Sequence, residues 1–452
     1  MRLKSLIVLT FALIITVCLV MADSVSSLSQ NSWSELASMP TARTDLGTAT
    51  VEGKIYAIGG GNYDGVLSTN EMYEPATDTW IPKAPMPTER SNFGIAVFQN
   101  KIYCIGGFVS NGVTNTNEVY DPETNTWETK MPMPTARGAL EANVADEKIY
   151  LIGGSTGGER STVALNEVYD PKTDSWSVEL NLPTATQSYA SAVVDNKIYL
   201  IGGYNYKLGM INLTQIYDLS TLLWGTGAPI PLSLYGYGAA TKGIFAPEKI
   251  YVIGGSTGLP FDGNFIFDPL SNSWSEGMNM PTARNNAGIA IVDDILFVIG
   301  GDRSWYFTFL NTTEKYIPSG YGTIPPKITI ISPIDGENYS GTISFDFLLS
   351  KNASWIGYSN DNEDLITILS NTTITGLPNG SHSIVVYAND TFGNMGTSQT
   401  VNFTVELPIG KSEINGSILI VVISISAVVA TAVGMISYRR YRKTASLKKV
   451  AN

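Results

Sequence analysis

The sequence contains few of the side chains that bind metals or act as nucleophiles and bases. Its 452 residues include one histidine, His382, and two cysteines, Cys18 and Cys104. No cluster of metal ligands, no phosphate-binding loop and no acid–base pair stands out by its spacing. The sequence therefore predicts no metal and no cofactor, and it identifies no catalytic residue.

Basic residues are also scarce. The chain has 28 Lys and Arg against 40 Asp and Glu, and charged residues make up only 15% of it. Eight of the bases lie outside residues 23–416, whereas all of the acids lie inside that segment. A segment this acidic repels phosphate backbones and anionic lipid surfaces, which argues against a nucleic-acid partner.

Glycine and aromatic residues, in contrast, are abundant. The chain contains 43 Gly, 23 Tyr and 8 Trp, and 44% of it is hydrophobic. This composition is typical of an all-β protein rich in turns, and the length allows two or three domains.

The two ends of the chain predict an exported protein. Residues 1–22 have the basic start, apolar run and small-residue exit of a signal peptide, with an uncleaved anchor as the alternative. Residues 417–438 carry no charge, are long enough for a transmembrane helix and precede a basic tail at 439–452. The positive-inside rule places that tail in the cytoplasm. The predicted localisation is the cell membrane, with a single span and an extracellular ectodomain.

Cysteine usage and glycosylation sequons agree with export. Loss of Cys18 with the signal peptide leaves Cys104 alone, so no intrachain disulfide forms, and Cys104 is expected to be a buried apolar residue of a strand. Nine Asn-x-Ser/Thr sequons are candidate N-glycosylation sites: Asn212, Asn311, Asn338, Asn352, Asn371, Asn379, Asn389, Asn402 and Asn415. Seven of them lie beyond residue 330, which suggests a sugar-coated stalk.

A repeat of nearly fifty residues organises the first two thirds of the chain. Six double glycines mark it, at spacings of 47, 47, 49, 52 and 46 residues: Gly59-Gly60, Gly106-Gly107, Gly153-Gly154, Gly202-Gly203, Gly254-Gly255 and Gly300-Gly301. A short β-branched and aromatic strand precedes each pair, as in Lys54–Ile58. A spaced aromatic and Trp follow the first five pairs, as in Tyr73 and Trp80. Such a period predicts stacked supersecondary units, one propeller blade each.

The combination of double glycine, spaced Tyr and Trp, and this period resembles the kelch repeat over residues 31–318. The sixth copy lacks its Trp, and Asn31–Leu36 matches the strands that end the other repeats. We therefore predict that this segment completes the sixth repeat and closes the ring, which removes a free sheet edge. The resemblance implies an all-β, six-bladed kelch-type β-propeller. The repeated Gly, Tyr and Trp are assigned to packing.

A second domain is predicted at residues 325–406. Short alternating segments, Ile328–Ile331, Thr342–Leu349, Thr372–Ile374, Ser383–Tyr387 and Val401–Val405, indicate a small β-sandwich. The segment from Gly376 to Asn394 resembles immunoglobulin-like or fibronectin-like modules of prokaryotic surface proteins. Such modules are more often spacers than binders, and no pocket motif is present. His382 is expected to be a solvent-facing strand residue.

The motif Pro-Thr-x-Arg recurs before four of the double glycines. In kelch propellers of this pattern the equivalent Arg begins the innermost strand near the channel mouth, so the resemblance implies a ring of guanidiniums and tyrosines as the ligand site: Arg43, Arg90, Arg137, Arg284, Tyr189, Tyr235 and Tyr237. Such a ring suits a carboxylate, a sulfate or an acidic peptide. The alternative is a structural Arg that bonds backbone carbonyls or an acid such as Glu89 or Glu141. The absence of the Arg from two repeats keeps the ligand hypothesis open.

Further candidates lie on the loops that follow the glycines: Arg160, Tyr204, Tyr206, Phe261 and Trp305. Some kelch propellers resemble galactose oxidase, whose copper site needs more histidines than this chain has. The sequence favours a non-enzymatic cell-surface protein that binds an extracellular protein or glycan. The alternative is a carbohydrate-active enzyme, similar to the kelch-type sialic-acid epimerases, acting at the channel mouth.

Overall fold

The computed structural model describes residues 29–158, 161–303 and 308–407. The predicted signal peptide, transmembrane helix, basic tail, Asn415, Arg160 and Trp305 lie outside these ranges. The secondary structure of the described residues consists of β-strands and bridges alone, as the all-β prediction requires. None of these residues belongs to a helix with the length and hydropathy to span a bilayer.

The chain divides into two compact units. Of the described residues, the first contains those up to Thr329 together with Leu349–Gly357 and Val386–Ser398. The second contains Ile330–Leu348, Tyr358–Val385 and the described residues from Gln399 onward.

Six four-stranded antiparallel sheets make up most of the first unit. The first three, given from the innermost strand outward, are sheet one (Gly47–Val51, Lys54–Ile58, Asn70–Glu74, Thr79–Pro82), sheet two (Gly94–Phe98, Lys101–Ile105, Asn117–Asp121, Thr126–Lys130) and sheet three (Ala142–Ala145, Lys148–Ile152, Asn166–Asp170, Ser175–Val178). The others are sheet four (Ala190–Val194, Lys197–Ile201, Thr214–Asp218, Leu223–Gly227), sheet five (Tyr235–Ala240, Ile250–Ser256, Asn264–Asp268, Ser273–Glu276) and sheet six (Gly288–Val292, Ile295–Ile299, Thr313–Ile317, Ser32–Leu36).

Three two-residue hairpins extend the loops that follow the first, second and fourth double glycines: Gly61–Asn62 with Gly65–Val66, Phe108–Val109 with Gly112–Val113, and Tyr204–Asn205 with Gly209–Met210.

The second strand of sheets one, two and three begins with a partly buried lysine and is otherwise apolar, because both of its faces are covered. Ile55–Ile58 are all buried, and the same pattern holds in the next sheets. One cluster joins Ala49, Tyr56 and Met72 of sheet one to Ile102 and Cys104 of sheet two. Continuous apolar runs of this kind mark strands that are packed on both faces.

The first strand of the described chain pairs with the last repeat. Ser32–Leu36 is antiparallel to Thr313–Ile317, with Trp33 opposite Tyr316. The Trp33 indole donates to the carbonyl of Met278 at 2.8 Å, just as the Trp80 indole donates to Ala37 at 2.9 Å. The predicted pairing of this segment with the sixth repeat is therefore confirmed. Trp33 makes the contact with the neighbouring sheet that a Trp makes in the other repeats and that the last repeat, without a Trp of its own, could not make.

The double glycines form the junctions between successive sheets. The amide of Gly60 in sheet one donates to the carbonyl of Arg90 before sheet two, and the amide of Gly301 in sheet six donates to Arg43 before sheet one, both at 3.0 Å. A Cβ on Gly59 would lie 2.6 Å from the Arg90 carbonyl, and φ is +60° there. Only glycine tolerates this close approach and left-handed backbone together. The junction from sheet six back to sheet one thus has the same construction as the others.

The chain from residue 328 onward contains strands that were predicted from the sequence and strands that were not. The strands of the chain from residue 328 are Ile328–Ser332, Asn338–Tyr339, Ile343–Leu349, Trp355–Asn360, Ile366–Ile368, Thr372–Ile374, Gly380–Asn389, Met395–Thr397 and Val401–Val405. Within the second unit, Gly380–Ile384 is antiparallel to Val401–Val405, and Ile343–Phe345 is antiparallel to Thr372–Ile374.

His382 is buried, with 7% of its surface exposed, so the expectation of a solvent-facing residue was wrong. Its Nδ1 lies 2.6 Å from Asp361 Oδ2 and its Nε2 lies 2.9 Å from the carbonyl oxygen of Pro378. Burial alone would lower the pKa of His382, but these two partners raise it above its ordinary value. The imidazole therefore ties two turns of the second unit together.

Candidate functional site

The four arginines of the repeated motif are fully buried. Each pairs with a glutamate on the third strand of its own sheet: Arg43 with Glu71, Arg90 with Glu118, Arg137 with Glu167 and Arg284 with Glu314. The motif threonine donates to the other oxygen of the same carboxylate, as Thr41 does to Glu71 at 2.8 Å. The guanidiniums also donate to backbone carbonyls, as Arg43 does to Ala57 at 2.8 Å.

This geometry corrects the expectation that the arginines present donors to a ligand. Each of the four has 0% of its surface exposed, so no guanidinium reaches solvent. The structural alternative describes them better, although neither Glu89 nor Glu141 is the paired acid. Burial lowers the pKa of Arg43 while Glu71 opposes that change. Arginine nevertheless keeps its charge at any accessible pH, so each pair is a buried ion pair.

The two repeats without the motif arginine also lack its glutamate. In sheet four Thr186 stands at the arginine position, and Gln215 at the glutamate position exchanges two hydrogen bonds with the backbone of Thr184. In sheet five both positions are apolar, and Leu234 and Phe265 belong to one hydrophobic cluster. The motif arginine is therefore absent from two repeats because both members of its ion pair are replaced together there, and this absence no longer supports a ligand.

The three tyrosines of the predicted ring have different environments. Tyr189 is 1% exposed, and its hydroxyl hydrogen-bonds the carbonyl of Ile152. The innermost strands of the six sheets contact one another in succession and so form a ring. Tyr237 of sheet five points across the centre of this ring, where its hydroxyl donates to Asn92 Oδ1, just before sheet two, at 2.9 Å. Tyr235 lines a cavity on the side of the glycine-following loops. The last two belong to the open centre of the ring, whereas Tyr189 does not reach it.

A set of left-handed residues leads into the innermost strands. Asp45, Asn92, Ala139, Ser188 and Asn286 occupy equivalent positions, with φ between 50° and 56° in all five. The amide of Asp45 donates to the Asn286 carbonyl at 2.9 Å, and Asn92 donates to Asp45 at the same distance. Asx and Ser side chains tolerate this backbone well. In sheet five the equivalent position is Gly236, beside a bulge between Tyr235 and Tyr237.

Two spaces that share the lining residue Asp45 lie along the innermost strands. The inner channel, about 180 Å³, is lined by the innermost strands and includes Asp45, Asn92, Glu141, Asn143 and Tyr237. The mouth cavity, about 980 Å³, opens among the glycine-following loops of sheets one, two, five and six. Its walls contain Tyr63, Val66, Val109, Tyr235, Pro260 and Phe309, and its polar lining includes Asp45, Asn285, Asn286 and Asp302. Asp45 belongs to both spaces.

Carboxyl groups dominate the electrostatics of these two spaces. Burial, together with the charge of Asp302, raises the pKa of Asp45 to about 7. Burial raises the pKa of Glu141 to about 8 and that of Asp302 above its ordinary value. Burial and these three acids also raise the pKa of Tyr237. No lysine or arginine is among the described residues that line either space. The ionisable groups at the centre of the ring are thus acidic, whereas the sequence predicted the positive charge of guanidiniums there.

Neutral donors hold the two mouth carboxylates in place. Asn92 donates to Asp45 Oδ1 at 2.7 Å. Thr44 donates to Asp302 Oδ2 at 2.8 Å, and the side chains of Asn285 and Asn286 donate to the same oxygen at 3.3 Å. This network fixes the carboxylates without neutralising them.

The remaining sequence candidates are placed as follows. Tyr204 belongs to a hairpin of sheet four, and Phe261 stacks on Phe265. Neither they nor Tyr206 line the two spaces. Cys104 is fully buried, and burial raises the pKa of its thiol to about 12, which excludes a reactive thiolate at neutral pH. None of the eight sequons within the described ranges has a buried asparagine, and their use remains a prediction.

Asp302, Asp45 and Tyr63 line the mouth cavity but were not predicted from the sequence. A signal for Asp302 was present, since it directly follows Gly300-Gly301 where the other repeats have Gly, Phe, Ser or Tyr. Asp45 lies two residues after Arg43, at the left-handed position of its repeat. Tyr63 belongs to the loop of the first hairpin and is 77% exposed.

Comparisons with known proteins agree with this architecture. The KLHDC2/KLHL20/DRC7 Kelch-repeats domain family matches residues 19–154 and 95–301. Halomucin of Haloquadratum walsbyi is 36% identical over 122 residues, which are 25% of this chain and 1% of halomucin. An F-box/kelch-repeat protein of Arabidopsis thaliana is 48% identical over 50 residues, 11% of this chain and 13% of that protein. The chain thus spans only a small part of the curated relatives that it matches.

The kelch-like protein terF of Aspergillus terreus is 33% identical over 76 residues, 15% of this chain and 16% of that protein. Among solved structures, that of YjhT superposes with a TM-score of 0.53 at 19% identity. The superposition covers 62% of this chain and 96% of YjhT. At this level of identity the likeness concerns the β-propeller fold alone.

Proposed function

Because this chain belongs to the kelch-repeat family, whose propellers suit protein binding, we propose that it is a non-enzymatic recognition protein that takes its ligand in the mouth cavity. The observation that carries the proposal is the cavity itself. It measures about 980 Å³ and combines aromatic walls with a few convergent polar groups. Ligand sites in proteins have this size and this lining.

The loops around the cavity fit such a role. They follow the double glycines of four different sheets, so rigid strands position them while their lengths differ. Tyr63 is 77% exposed and its ring packs against the edge of Phe309, with centroids 4.8 Å apart. Large exposed aromatic residues beside a cavity are typical anchors for a partner.

The proposal extends to the architecture and the location of the protein. We propose that the six sheets are the blades of a closed six-bladed propeller and that the second unit is an immunoglobulin-like spacer. The apolar segment at 417–438 would then anchor both at the cell membrane, with the mouth cavity available to an extracellular protein or glycan. The crowded sequons beyond residue 330 support an exported protein.

The proposal is tested by probing the full-length protein against arrays of proteins, peptides and glycans, with Tyr63→Ala and Leu270→Ala variants alongside. Leu270 is 97% exposed on an outer turn and serves as the control for loss of an exposed apolar side chain. We expect a ligand whose affinity falls about tenfold in Tyr63→Ala and stays unchanged in Leu270→Ala. Equal binding by both variants for every ligand found would refute the mouth cavity as the site.

One observation favours a second candidate, a carbohydrate-active enzyme. Asp45 and Glu141 have pKa values raised to about 7 and about 8, the range in which a carboxyl group can act as a general acid or base at neutral pH. None of the described residues that line the channel is a lysine or an arginine that could pair with the carboxylate of a sialic or uronic acid, so an uncharged sugar is the better substrate. Turnover of a neutral sugar that disappears in Glu141→Gln, with an unchanged melting temperature, would establish this activity. Its absence across neutral and acidic sugars leaves binding as the function.

A further inference from the structure

We propose that the mouth cavity binds a basic side chain, a lysine or an arginine, that projects from a partner protein and takes Asp45 and Asp302 as its counter-ions. This inference rests on the proposed recognition function and adds the chemical class of the ligand. The arginine motif suggested an acidic partner, whereas the cavity favours a basic one.

The first argument is charge complementarity. Asp45 and Asp302 line one cavity and the charge of Asp302 raises the pKa of Asp45, yet their hydrogen-bond partners Asn92 and Thr44 are neutral. A cation entering between them gains two charge-assisted hydrogen bonds in a partly desolvated site. Above the raised pKa of Asp45, an anionic ligand meets two negative charges in the same place. Complementary charge selects among partners and speeds their encounter.

The second argument is the aromatic and apolar wall above the carboxylates. Tyr63, Phe309 and Tyr235 surround the entrance, and Val66 and Val109 contribute aliphatic surface. Lysine and arginine side chains pack their methylene stems along such surfaces and keep the charged head at a polar end. Cations also bind favourably over the faces of Tyr and Phe rings. A long side chain with a charge at its tip therefore matches the cavity from entrance to floor.

The third argument is the floor, which stops a ligand beside Asp45. Tyr237 of sheet five crosses the ring to Asn92 of sheet two, and Asn92 in turn donates to Asp45. Below this bridge the inner channel contains Asn143, which is 5% exposed and whose Nδ2 has no hydrogen-bond partner in the described chain. Glu141 lies beside it in the same lining. A buried donor without a protein partner indicates a site for a polar group, such as a water molecule that joins the channel to the charged end of the ligand.

The charge state of the floor makes this binding depend on pH. Asp45 faces Asp302 from sheet six, Glu141 from sheet three and Tyr237 from sheet five, and no lysine or arginine among the described lining residues. Burial and Asp302 raise the pKa of Asp45 to about 7, so the carboxyl loses its charge as the pH falls below that value. A basic ligand keeps its own charge throughout this range. Affinity is therefore expected to fall between pH 8 and pH 5.5.

The test uses the full-length protein and two pentapeptide probes, acetyl-Gly-Gly-Arg-Gly-Gly-amide and the same peptide with citrulline in place of Arg. Citrulline keeps the shape of arginine without its charge. Binding is measured by isothermal titration at pH 8 and pH 5.5, for the wild type, Asp302→Asn and Asp45→Asn/Asp302→Asn. Asparagine tolerates the left-handed backbone at Asp45, where φ is 56°. Glu123→Gln, on an exposed turn, is the control for loss of one carboxylate.

We expect the Arg peptide to bind about tenfold more tightly than the citrulline peptide at pH 8, and to lose about tenfold in affinity in the double variant and several-fold at pH 5.5. Glu123→Gln should bind like the wild type. Equal affinity for the two peptides, or full affinity in the double variant, would overturn the proposal. The wild-type comparisons of peptides and pH remain decisive even if a variant melts early.

The result also separates this inference from the function on which it rests. A ligand found on the arrays that needs Tyr63 but ignores Asp45→Asn/Asp302→Asn would leave recognition at the mouth intact and refute the basic ligand. A ligand that ignores Tyr63 as well would refute both.

Discussion

Arg137→Ala is expected to lower the free energy of unfolding by about 3–5 kcal/mol, because it leaves the Glu167 carboxylate buried without its counter-ion. Arg137 is fully buried and its guanidinium pairs with Glu167. It also donates to the carbonyls of Gly153 at 2.9 Å and Leu151 at 2.8 Å. The substitution removes all of these bonds at once and creates a cavity between two strands.

Urea denaturation of the first unit measures this loss, and the chain itself supplies a matched control. Sheet five has Leu234 and Phe265 where sheet three has Arg137 and Glu167. We expect Arg137→Leu/Glu167→Phe to be more stable than Arg137→Ala, because it exchanges an ion pair for an apolar pair as a unit. The opposite order, or an Arg137→Ala protein as stable as the wild type, would show that the buried pair does not hold the sheet.

Asp294→Ala is expected to destabilise the first unit by about 3–5 kcal/mol, since it removes one acceptor from several backbone donors. Asp294 is 1% exposed, and its carboxylate accepts the amides of Lys242 at 2.6 Å, Ile244 and Phe245 at 2.8 Å and Ala246 at 3.2 Å. Without it the loop between the first two strands of sheet five has no partner for these amides. Hydrogen bonds from several amides to one ionised acceptor are among the strong ones.

The adjacent Asp293 is the control for this substitution. It has the same left-handed backbone, with φ of 51° against 62° at Asp294, but it is exposed. Asp293→Ala thus carries the backbone strain and the loss of charge without the loss of the amide bonds. The melting temperature of Asp294→Ala should fall several degrees further than that of Asp293→Ala. Equal shifts would attribute the effect to backbone strain alone.

Much of the fold could be predicted because the same sequence pattern occurs in six copies, each of which indicates the same local structure. The double glycine fixes a close approach of two backbones, and six copies at nearly constant spacing indicate six similar units. Trp33 allowed the pairing of the first strand with the last repeat to be predicted, since it occupies the place of the missing Trp. Trp355–Asn360 was missed because its apolar and polar residues do not alternate, and Asn338–Tyr339 was missed because two residues show no alternation at all.

The candidate site could be predicted only in part, and the arginines show why. A charged residue that recurs near a channel can serve a ligand or a partner on the next strand, and the repeat period is the same in both cases. The deciding signal was the residue two positions before the spaced aromatic of each repeat, such as Tyr73 in the first. It is Glu71, Glu118, Glu167 and Glu314 in the repeats with Arg, and Gln215 and Phe265 in the other two. An arginine that appears and disappears together with a glutamate is a member of a pair.

The acidic centre could not be predicted in the same way. Asp45 belongs to the first repeat and Asp302 to the last, and the junction of sheets six and one, where Thr44 donates to Asp302, brings them together. Their raised pKa values depend on the burial that this assembly creates. Neither residue recurs in the other repeats, so the period does not indicate that Asp45 and Asp302 meet.

The measurement that tests this account most directly is the affinity of the Arg pentapeptide for three forms of the full-length protein. These are the wild type, Arg137→Leu/Glu167→Phe and Asp45→Asn/Asp302→Asn. If the mouth carboxylates carry recognition and the arginines carry stability, the first two forms bind alike and the third binds about tenfold more weakly. Loss of binding in the arginine variant, with full binding in the carboxylate variant, would contradict the account.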